Sequence, residues 1–338
     1  LDADQPRNRG LIARLSTQNL DSAASRARAA SRRPFIDAVE IWTPDGDDGP
    51  LRLAGGAPGD LSSLAAAGAE ARFPKGEDLV GRAWEAGSPI LLKRFEESEF
   101  KRAAAAEGLG AALALPVFDG ARLKAVVVFF CIADETRNGA MEIWRGGGSG
   151  GPALRLHDGY FGGARNFYRV ARTVDFPRGK GLPGGVWASG APMLLRDLGS
   201  GYRFIRAESA GAAGLTTGMG LPSPSPAESG AVHVVTLLSA RSAPIGRRFE
   251  IWTVESAGEG RSDLILVDGI CEREGALLKR EPLRVAAVSG PIGRVVETGL
   301  PFAAAGADAQ GSPAGYGAVV AIPVHRGGAL AHVAAWYV

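Results

Sequence analysis

The stretch FEIWTV, residues 249–254, decides the fold, because two close copies of it occur elsewhere in the chain. VEIWTP occupies residues 39–44 and MEIWRG occupies residues 141–146. In each copy an acidic and an aromatic residue alternate with isoleucine, which is the two-residue period of a β-strand. A motif that recurs together with its neighbourhood indicates duplicated structural units.

Two further signals recur in step with these strands. Gly81, Gly184 and Gly293 lie in the segments EDLVGRAWEAGSPILL, KGLPGGVWASGAPMLL and VSGPIGRVVETGLPFA, and they keep the spacing of the three tryptophans to within one residue. A glycine turn and an apolar strand with a proline follow each time, in GLGAALALPV, GLTTGMGLPS and GYGAVVAIPV. We therefore predict three homologous domains, 34–137, 138–246 and 247–338, after a basic, alanine-rich helix over 1–33.

Composition limits the classes of function. A chain of 338 residues with 46% hydrophobic residues is globular and long enough for three cores. A net charge of +2 gives no nucleic-acid footprint, and no apolar run is long enough to cross a membrane. Only two cysteines are present, which argues against a disulfide scaffold and favours a cytoplasmic location.

Within a unit, the pattern predicts an α+β fold with an antiparallel sheet. In unit one, AVEIW and LRLAGG read as a hairpin, and a short helix ends at Gly87. EESEFKRAAAAEG reads as a second helix, and two strands joined by Asp119-Gly120 close the unit.

These residues resemble the GAF domain, a small-molecule sensory module of bacterial signalling proteins. The resemblance rests on FPKGEDLVGRAWEAGSPI, GLGAALALPVFDG and LKAVVVFF in unit one, and on FPRGKGLPGGVWASGAPMLLRDL and FIRAESAGAAGL in unit two. Unit three keeps the glycines and strands but has Val296 where unit one has Trp84. The resemblance implies three GAF-like repeats, each a central antiparallel sheet with short helices.

The flanking helices that usually bracket GAF units are largely missing in repeats two and three. The linkers DETRNGA and ARSAPIGRR are too short for a three-turn helix, yet the closing strands KAVVVFFCIA and AVHVVTLLSA are apolar on both faces. We therefore expect neighbouring units or a twin subunit to pack against these faces.

Catalytic and metal chemistry find little support. GAF-like methionine sulfoxide reductases need converging thiols, but Cys131 lies in a strand of unit one and Cys271 in a loop-like segment of unit three. A covalent bilin is not expected, because Glu272 rather than histidine follows Cys271. The four histidines lack metal-ligand spacing, and His233 and His332 are expected to be satisfied strand residues. We predict no cofactor, no metal and no enzyme.

A ligand site is predicted in unit two, whose aromatic and basic residues contrast with the featureless AAAGADAQGSPAGYG of unit three. Aromatic walls and an anion-binding set of arginines are the chemistry expected there. The predicted ligand-binding residues are Tyr160, Phe161, Tyr168, Trp187, Arg196, Tyr202, Arg203, Phe204 and Arg206. The alternative is that Phe204 and Arg206 simply belong to the generic helix pattern of the family.

Two functions from different classes follow from these expectations. The first is a sensory module in which unit two binds a small cytoplasmic metabolite and passes the signal through domain packing. The second is a ligand-free structural platform for homodimerisation or a protein partner, with a GAF-type enzyme a distant third.

Overall fold

A computed structural model describes residues 33–338, except 96–97, 99, 103–107, 149–150, 201–203, 227–229, 259–260, 279–282 and 287–289. The N-terminal helix predicted over 1–33 therefore lies outside the described residues, apart from Arg33. Most of the alanine-rich helix predicted in EESEFKRAAAAEG lies outside them too. Residues 34–338 form one compact unit.

Three antiparallel sheets make up this unit, and each is formed by one repeat. The first contains β1 Ala38–Pro44, β2 Leu51–Ala57, β3 Arg72–Phe73, β4 Ile90–Leu92, β5 Leu109–Asp119 and β6 Arg122–Ile132, in the spatial order β3-β2-β1-β6-β5-β4. The strand that carries the Glu-Ile-Trp motif is thus central, next to the closing strand.

The second and third sheets repeat this order. The second contains β7 Asn138–Gly146, β8 Ala153–Gly162, β9 Phe176–Pro177, β10 Met193–Arg196, β11 Leu215–Ser223 and β12 Val232–Ala240. The third contains β13 Arg248–Gly258, β14 Arg261–Cys271, β15 Gly275–Ala276, β16 Leu283–Ala286, β17 Phe302–Ala305, β18 Ala318–Arg326 and β19 Ala329–Tyr337, with β16 paired to β14. The prediction of a GAF-like α+β fold, repeated three times, is confirmed.

Short helices cover one face of each sheet. They are α1 Ser62–Ala69, α2 Asp78–Ala86, α3 Arg165–Ala171, α4 Gly181–Ser189, α5 Ala207–Ala212 and α6 Gly290–Thr298, with a 3-10 turn at Gly306–Ala309. Gly81, Gly184 and Gly293 each occupy the fourth position of a nine-residue helix, as the repeat predicts. A side chain at Gly81 would meet the carbonyl oxygen of Pro74 at 2.1 Å, which explains the glycine.

The first residue of these three nine-residue helices has a left-handed backbone. Gly181 and Gly290 have φ of 62° and 77°, values that glycine adopts without steric cost. Asp78 holds the same position in unit one with φ 55°. Its buried carboxylate accepts a hydrogen bond from the backbone nitrogen of Lys101 at 2.8 Å, which helps to hold this conformation.

The Glu-Ile-Trp alternation sorts side chains between two kinds of core. Ile41, Ile143 and Ile251 all join one central cluster that takes strands from the three sheets. The tryptophans of the motif lie on the opposite face of each sheet. Trp42, Trp144 and Trp252 join three separate clusters, one per unit, that are made of sheet and helix residues. Successive residues of a strand point to opposite faces, so one triplet supplies both cores.

The central cluster is what covers the faces that flanking helices would otherwise cover. Equivalent positions on the closing strands, Phe129, Leu237 and Trp336, all lie in it, and the Phe129 and Trp336 rings are 5.9 Å apart. The expectation that neighbouring units pack against these apolar faces is confirmed within the described residues. Burial of this shared surface is the main force holding the three units together.

Contacts between the sheets close into a ring. The short edge strand of each unit that pairs with the strand before the closing strand touches the second strand of the next unit, so that β4 meets β8, β10 meets β14 and β17 meets β2. Each joint uses different surfaces on its two partners, which is a head-to-tail arrangement that closes after three units. The third joint brings the last repeat back to the first.

Two of the three joints carry a matching ion pair. Lys93, just after β4, donates to Asp158 of β8 at 2.5 Å, and Arg196 at the end of β10 bonds Asp268 of β14. Both aspartates sit opposite the isoleucine of their own Glu-Ile-Trp motif. At the third joint the equivalent positions hold Ala305 and Gly55, so both partners of the pair are replaced together.

Neither linker contains a helix. In the first linker Arg137 donates to Asp37 at 2.8 and 3.0 Å and to the carbonyl oxygen of Ile132 at 2.9 Å, which fixes unit one against the start of unit two. In the second linker Ile245 is buried in the central cluster. No helix of the described residues is long and apolar enough to span a membrane.

Candidate functional site

The interior of unit two contains a buried ion pair where the sequence predicted an anion-binding arginine. Arg206 donates to both carboxylate oxygens of Glu142, at 2.5 and 2.9 Å, and the two side chains are 1% and 0% exposed. Trp144 and Thr236 also donate to Glu142, at 3.0 and 2.7 Å. The glutamate of the Glu-Ile-Trp motif is therefore the acceptor at the centre of this cluster.

Aromatic rings surround the guanidinium of Arg206. Its central carbon lies 4.3 Å from the ring centre of Phe167, 5.1 Å from that of Trp144 and 5.2 Å from that of Phe204. Cation–π attraction is strongest for such a desolvated cation. Both terminal nitrogens and the faces of Arg206 are thus engaged within the protein itself.

Unit one repeats this cluster and unit three varies it. In unit one Arg102 donates to Glu40 at 2.8 and 3.0 Å, and Trp42 donates to the same carboxylate at 2.9 Å. The two arginines follow equivalent phenylalanines in the patterns Phe-Lys-Arg and Phe-Ile-Arg.

In unit three the donors to the glutamate of the motif all come from strands of the same sheet. Glu250 accepts from Arg248 of the same strand at 2.6 Å, from Trp252 at 2.9 Å and from the hydroxyl of Tyr337 at 3.2 Å. Burial raises the pKa of Tyr337, and the carboxylate of Glu250 raises it further, so the hydroxyl remains a donor at neutral pH.

The sequence reasoning missed Glu40, Glu142 and Glu250. A signal for the pairing existed, because the motif Glu-Ile-Trp and the motif Phe-x-Arg recur together in units one and two. An acid buried in a central strand needs a cationic or hydrogen-bonded partner. The recurring arginine was the candidate available in the same unit.

The structure separates the predicted ligand-binding residues instead of gathering them around one space. Phe161, Phe204 and Arg206 belong to the packed interior of unit two. Tyr168 is 38% exposed, and its ring lies 5.0 Å from that of Phe161. Tyr202 and Arg203 lie outside the described residues. That these nine residues bind a ligand stays a prediction.

The remaining three predicted residues lie at the edges of unit two. Tyr160 and Phe161 are neighbours on a strand and so point to opposite faces; Tyr160 donates to the carbonyl oxygen of Ile132 in unit one at 3.4 Å. Arg196 is committed to the joint with unit three. Trp187 lines a cavity at the same boundary with unit three.

This cavity, which we call the joint cavity, has a volume of about 350 Å³. Its walls come from α4, the end of β11 and the start of β12 in unit two, and from the end of β18 in unit three. The walls are mostly apolar and include Val186, Trp187, Pro222, Pro224, Val232 and Val324. Sites for small molecules are typically cavities of this size with apolar walls and a few polar groups.

Three residues that line the joint cavity each have a buried polar atom without a hydrogen-bond partner among the described residues. These atoms are the Oγ of Ser223 and the Nδ1 atoms of His233 and His325. Ser223 and His233 are 2% and 7% exposed. Buried polar atoms in folded proteins are nearly always hydrogen-bonded to protein or water, so three exceptions in residues around one cavity make it the candidate site of this chain.

Both imidazoles of the joint cavity favour the neutral form. Burial lowers the pKa of His233 to about 4, and the positive charge of Arg145 and the imidazole of His157 act in the same direction. Burial also lowers the pKa of His325, helped by Lys124 and opposed by Asp119. A neutral imidazole can donate from one ring nitrogen and accept at the other.

The equivalent histidine of unit three shows why unit two is different. His332 pairs across the sheet with Thr253, and its Nδ1 lies 3.2 Å from the hydroxyl of Thr253. His233 pairs in the same way with Arg145, whose guanidinium has no acceptor to offer. The expectation that both histidines are satisfied is therefore confirmed for His332 and wrong for His233.

A second cavity and the two cysteines are weaker candidates for a functional site. A cavity of about 140 Å³ in unit one is lined by Glu40, which is already paired with Arg102. Cys131 and Cys271 are buried free thiols in different sheets, and Cys271 is the last residue of β14 rather than part of a loop. Burial raises the pKa of Cys131, which disfavours the reactive thiolate. The described residues contain no cluster of three potential metal ligands.

The three sheets define three α+β units of GAF-like fold in tandem, and the joint cavity is a candidate small-molecule site between two of them. No protein-family model matches the chain, and no curated protein matches it either.

Two solved bacterial structures are similar to parts of this chain. The GAF domain of nlh2 from A. aeolicus, in an inactive state, is 22% identical with a TM-score of 0.24 over 29% of this chain and 58% of that one. Free methionine-R-sulfoxide reductase from Neisseria meningitidis, in complex with its substrate, is 21% identical with a TM-score of 0.23 over 28% of this chain and 52% of that one. The chain thus spans little more than half the length of these two structures.

A third similar structure is NreA from Staphylococcus aureus, mutated in its nitrate binding site. It is 18% identical with a TM-score of 0.26, over 33% of this chain and 78% of that one. Each of these matches covers a third of this chain or less.

Proposed function

We propose that the chain is a sensory module that binds a small metabolite in the joint cavity and passes the signal on through the packing of its three units. The proposal rests on one observation, the three unpartnered polar atoms of Ser223, His233 and His325 around an apolar cavity of about 350 Å³. A ligand that hydrogen-bonds these atoms would remove the cost of leaving them buried and unpaired. It involves no catalytic step.

The position of the cavity supports a role in transmission. Its walls belong to units two and three, and His325 also interacts electrostatically with Asp119 and Lys124 of unit one. A ligand at this place contacts the boundary between units, and binding shifts an equilibrium only if the ligand prefers one packing over another. We place the protein in the cytoplasm in this proposal, in keeping with its two free thiols.

Indole is a suitable neutral probe, because it is small, planar and able to donate one hydrogen bond. Its binding should raise thermal stability, by about 2.7 kcal/mol at a hundredfold excess over Kd. Val232→Trp would fill the cavity from the start of β12 and should abolish the shift. Val170→Trp, at a half-buried valine of α3, is the matched control. An equal response of wild type and Val232→Trp would contradict the proposal.

A second candidate function is a ligand-free platform for homodimerisation or for a protein partner. The filled interiors of units one and two favour it, because Arg102 and Arg206 are already paired with Glu40 and Glu142. On this view the joint cavity is a packing defect. Absence of any indole response in wild type, together with a dimer in sedimentation equilibrium, would favour the platform.

A further inference from the structure

We infer that the joint cavity selects a planar, bicyclic heteroaromatic compound that carries a single negative charge, an inference that rests on the proposed function. Three features of the described residues lead to this class of ligand: the volume and walls of the cavity, the neutral hydrogen-bonding groups in its interior, and the sign of the charges around it.

The size and walls of the cavity set the shape of the ligand. An apolar cavity of about 150 Å³ holds one benzene ring. The joint cavity is about 350 Å³, which corresponds to a fused pair of rings with a small substituent. Trp187 supplies an aromatic wall, and Pro222, Pro224 and Val232 supply aliphatic ones. Flat ring systems bury the most apolar area against such walls for the least conformational entropy.

The interior polar atoms require heteroatoms in the ring system. Ser223 and His233 lie opposite each other on β11 and β12 of unit two, and His325 comes from β18 of unit three, so the three residues border the cavity from two units. A purely hydrocarbon ring would leave all three without a partner and would gain no hydrogen bond from them. Ring N–H groups and ring nitrogen acceptors suit hydroxyl and neutral imidazole partners.

The charges around the cavity favour an anion over a cation. Arg326 is the one charged residue among the described residues that line it, and its guanidinium makes a single long contact with the carbonyl oxygen of Ser189 at 3.4 Å. The positive charge of Arg145 acts on His233, and that of Lys124 acts on His325, where Asp119 offsets it in part. A carboxylate on the ligand therefore matches Arg326 at the exposed rim.

Three soluble probes of one ring system test this selectivity by isothermal titration calorimetry. Indole-3-acetate is anionic, indole is neutral and tryptamine is cationic at pH 7. We expect indole-3-acetate to bind about tenfold more tightly than indole, since the added ion pair lies at a partly exposed rim, and tryptamine to bind most weakly. Arg326→Leu should bring indole-3-acetate and indole to equal affinity while leaving the affinity for indole unchanged. Arg326→Lys should keep part of the preference.

The probes also separate failure of this inference from failure of the proposed function. If indole binds wild type but not Val232→Trp, and the acid has no advantage that depends on Arg326, the cavity is a ligand site but the inferred charge is wrong. If naphthalene-2-carboxylate, which lacks a ring nitrogen, binds as tightly as indole-3-acetate, the inferred heteroatoms are wrong. If none of the probes binds wild type, both the inference and the proposed function fail.

Discussion

Replacing Arg206 with methionine is the sharpest test of how unit two is held together. Methionine keeps the length and apolar stem of arginine but removes the guanidinium, and with it two hydrogen bonds to Glu142. Glu142 is 0% exposed and would keep only the donors from Trp144 and Thr236. Removing one partner of a buried ion pair costs about 3–5 kcal/mol, because the other charge remains buried without compensation.

Urea unfolding at pH 7 measures this loss as a fall in the free energy of unfolding at constant m-value. The double variant Arg206→Met with Glu142→Gln should regain part of it, since a neutral glutamine can still accept from Trp144 and Thr236. We expect a coupling energy of about 2–3 kcal/mol between the two sites, at the upper end for contacting residues.

Arg155→Met is the matched control, because Arg155 pairs with Asp175 on the surface, where the side chains are 75% and 47% exposed. Exposed pairs of this kind contribute about 0–1 kcal/mol. If Arg206 instead served to bind a ligand, its replacement would cost the free protein as little stability as the replacement of Arg155. A cost for Arg206→Met no greater than that for Arg155→Met would therefore refute the structural role.

Three further predictions test individual sites. The folded chain holds the pKa of His233 at about 4, below the 6.5 of the unfolded chain. The contribution of His233 to stability is therefore complete above pH 6.5 and falls by about 3 kcal/mol as the pH drops to 4. The free energy of unfolding, measured against pH, should fall less steeply in acid for His233→Leu than for wild type. Burial raises the pKa of Asp78 above 3.8, so its contribution to stability is complete below pH 3.8 and declines as the pH rises through the folded-state pKa. The difference in the free energy of unfolding between Asp78→Asn and wild type should therefore favour the variant more at pH 7 than at pH 3. Equal pH profiles of the two proteins would contradict this. Gly55→Asp combined with Ala305→Lys should recreate the ion pair of the other joints and exceed the sum of the single effects by about 0.5–1 kcal/mol in a denaturation cycle, whereas additive effects would show that the joints are not equivalent.

The repeat and the division of each strand between two cores could be read from the sequence, because both depend on local period. Ile143 and Trp144 are adjacent, so they had to face opposite ways in any strand. The same logic predicted that neighbouring units cover the apolar closing strands, since the linkers are too short to supply helices.

The ion pairs and the joint cavity could not be read in this way, because they depend on residues brought together from distant segments. Arg206 looks like an anion-binding residue until Glu142 is seen opposite it. His233 and His332 occupy equivalent positions, and only the cross-strand neighbours, Arg145 and Thr253, decide which of them lacks a partner. That His233 and His325 line one cavity depends on how two units dock, which no period within one unit encodes.

The closed ring of joints has a mechanical consequence. Three bars pinned end to end in a line can fold at every pin, but the same bars pinned into a triangle form a frame that cannot bend without deforming a bar. The contacts β4–β8, β10–β14 and β17–β2 connect the three sheets as a triangle. A displacement at the corner between units two and three must therefore deform a unit or shift the other two joints, β4–β8 and β17–β2, as well.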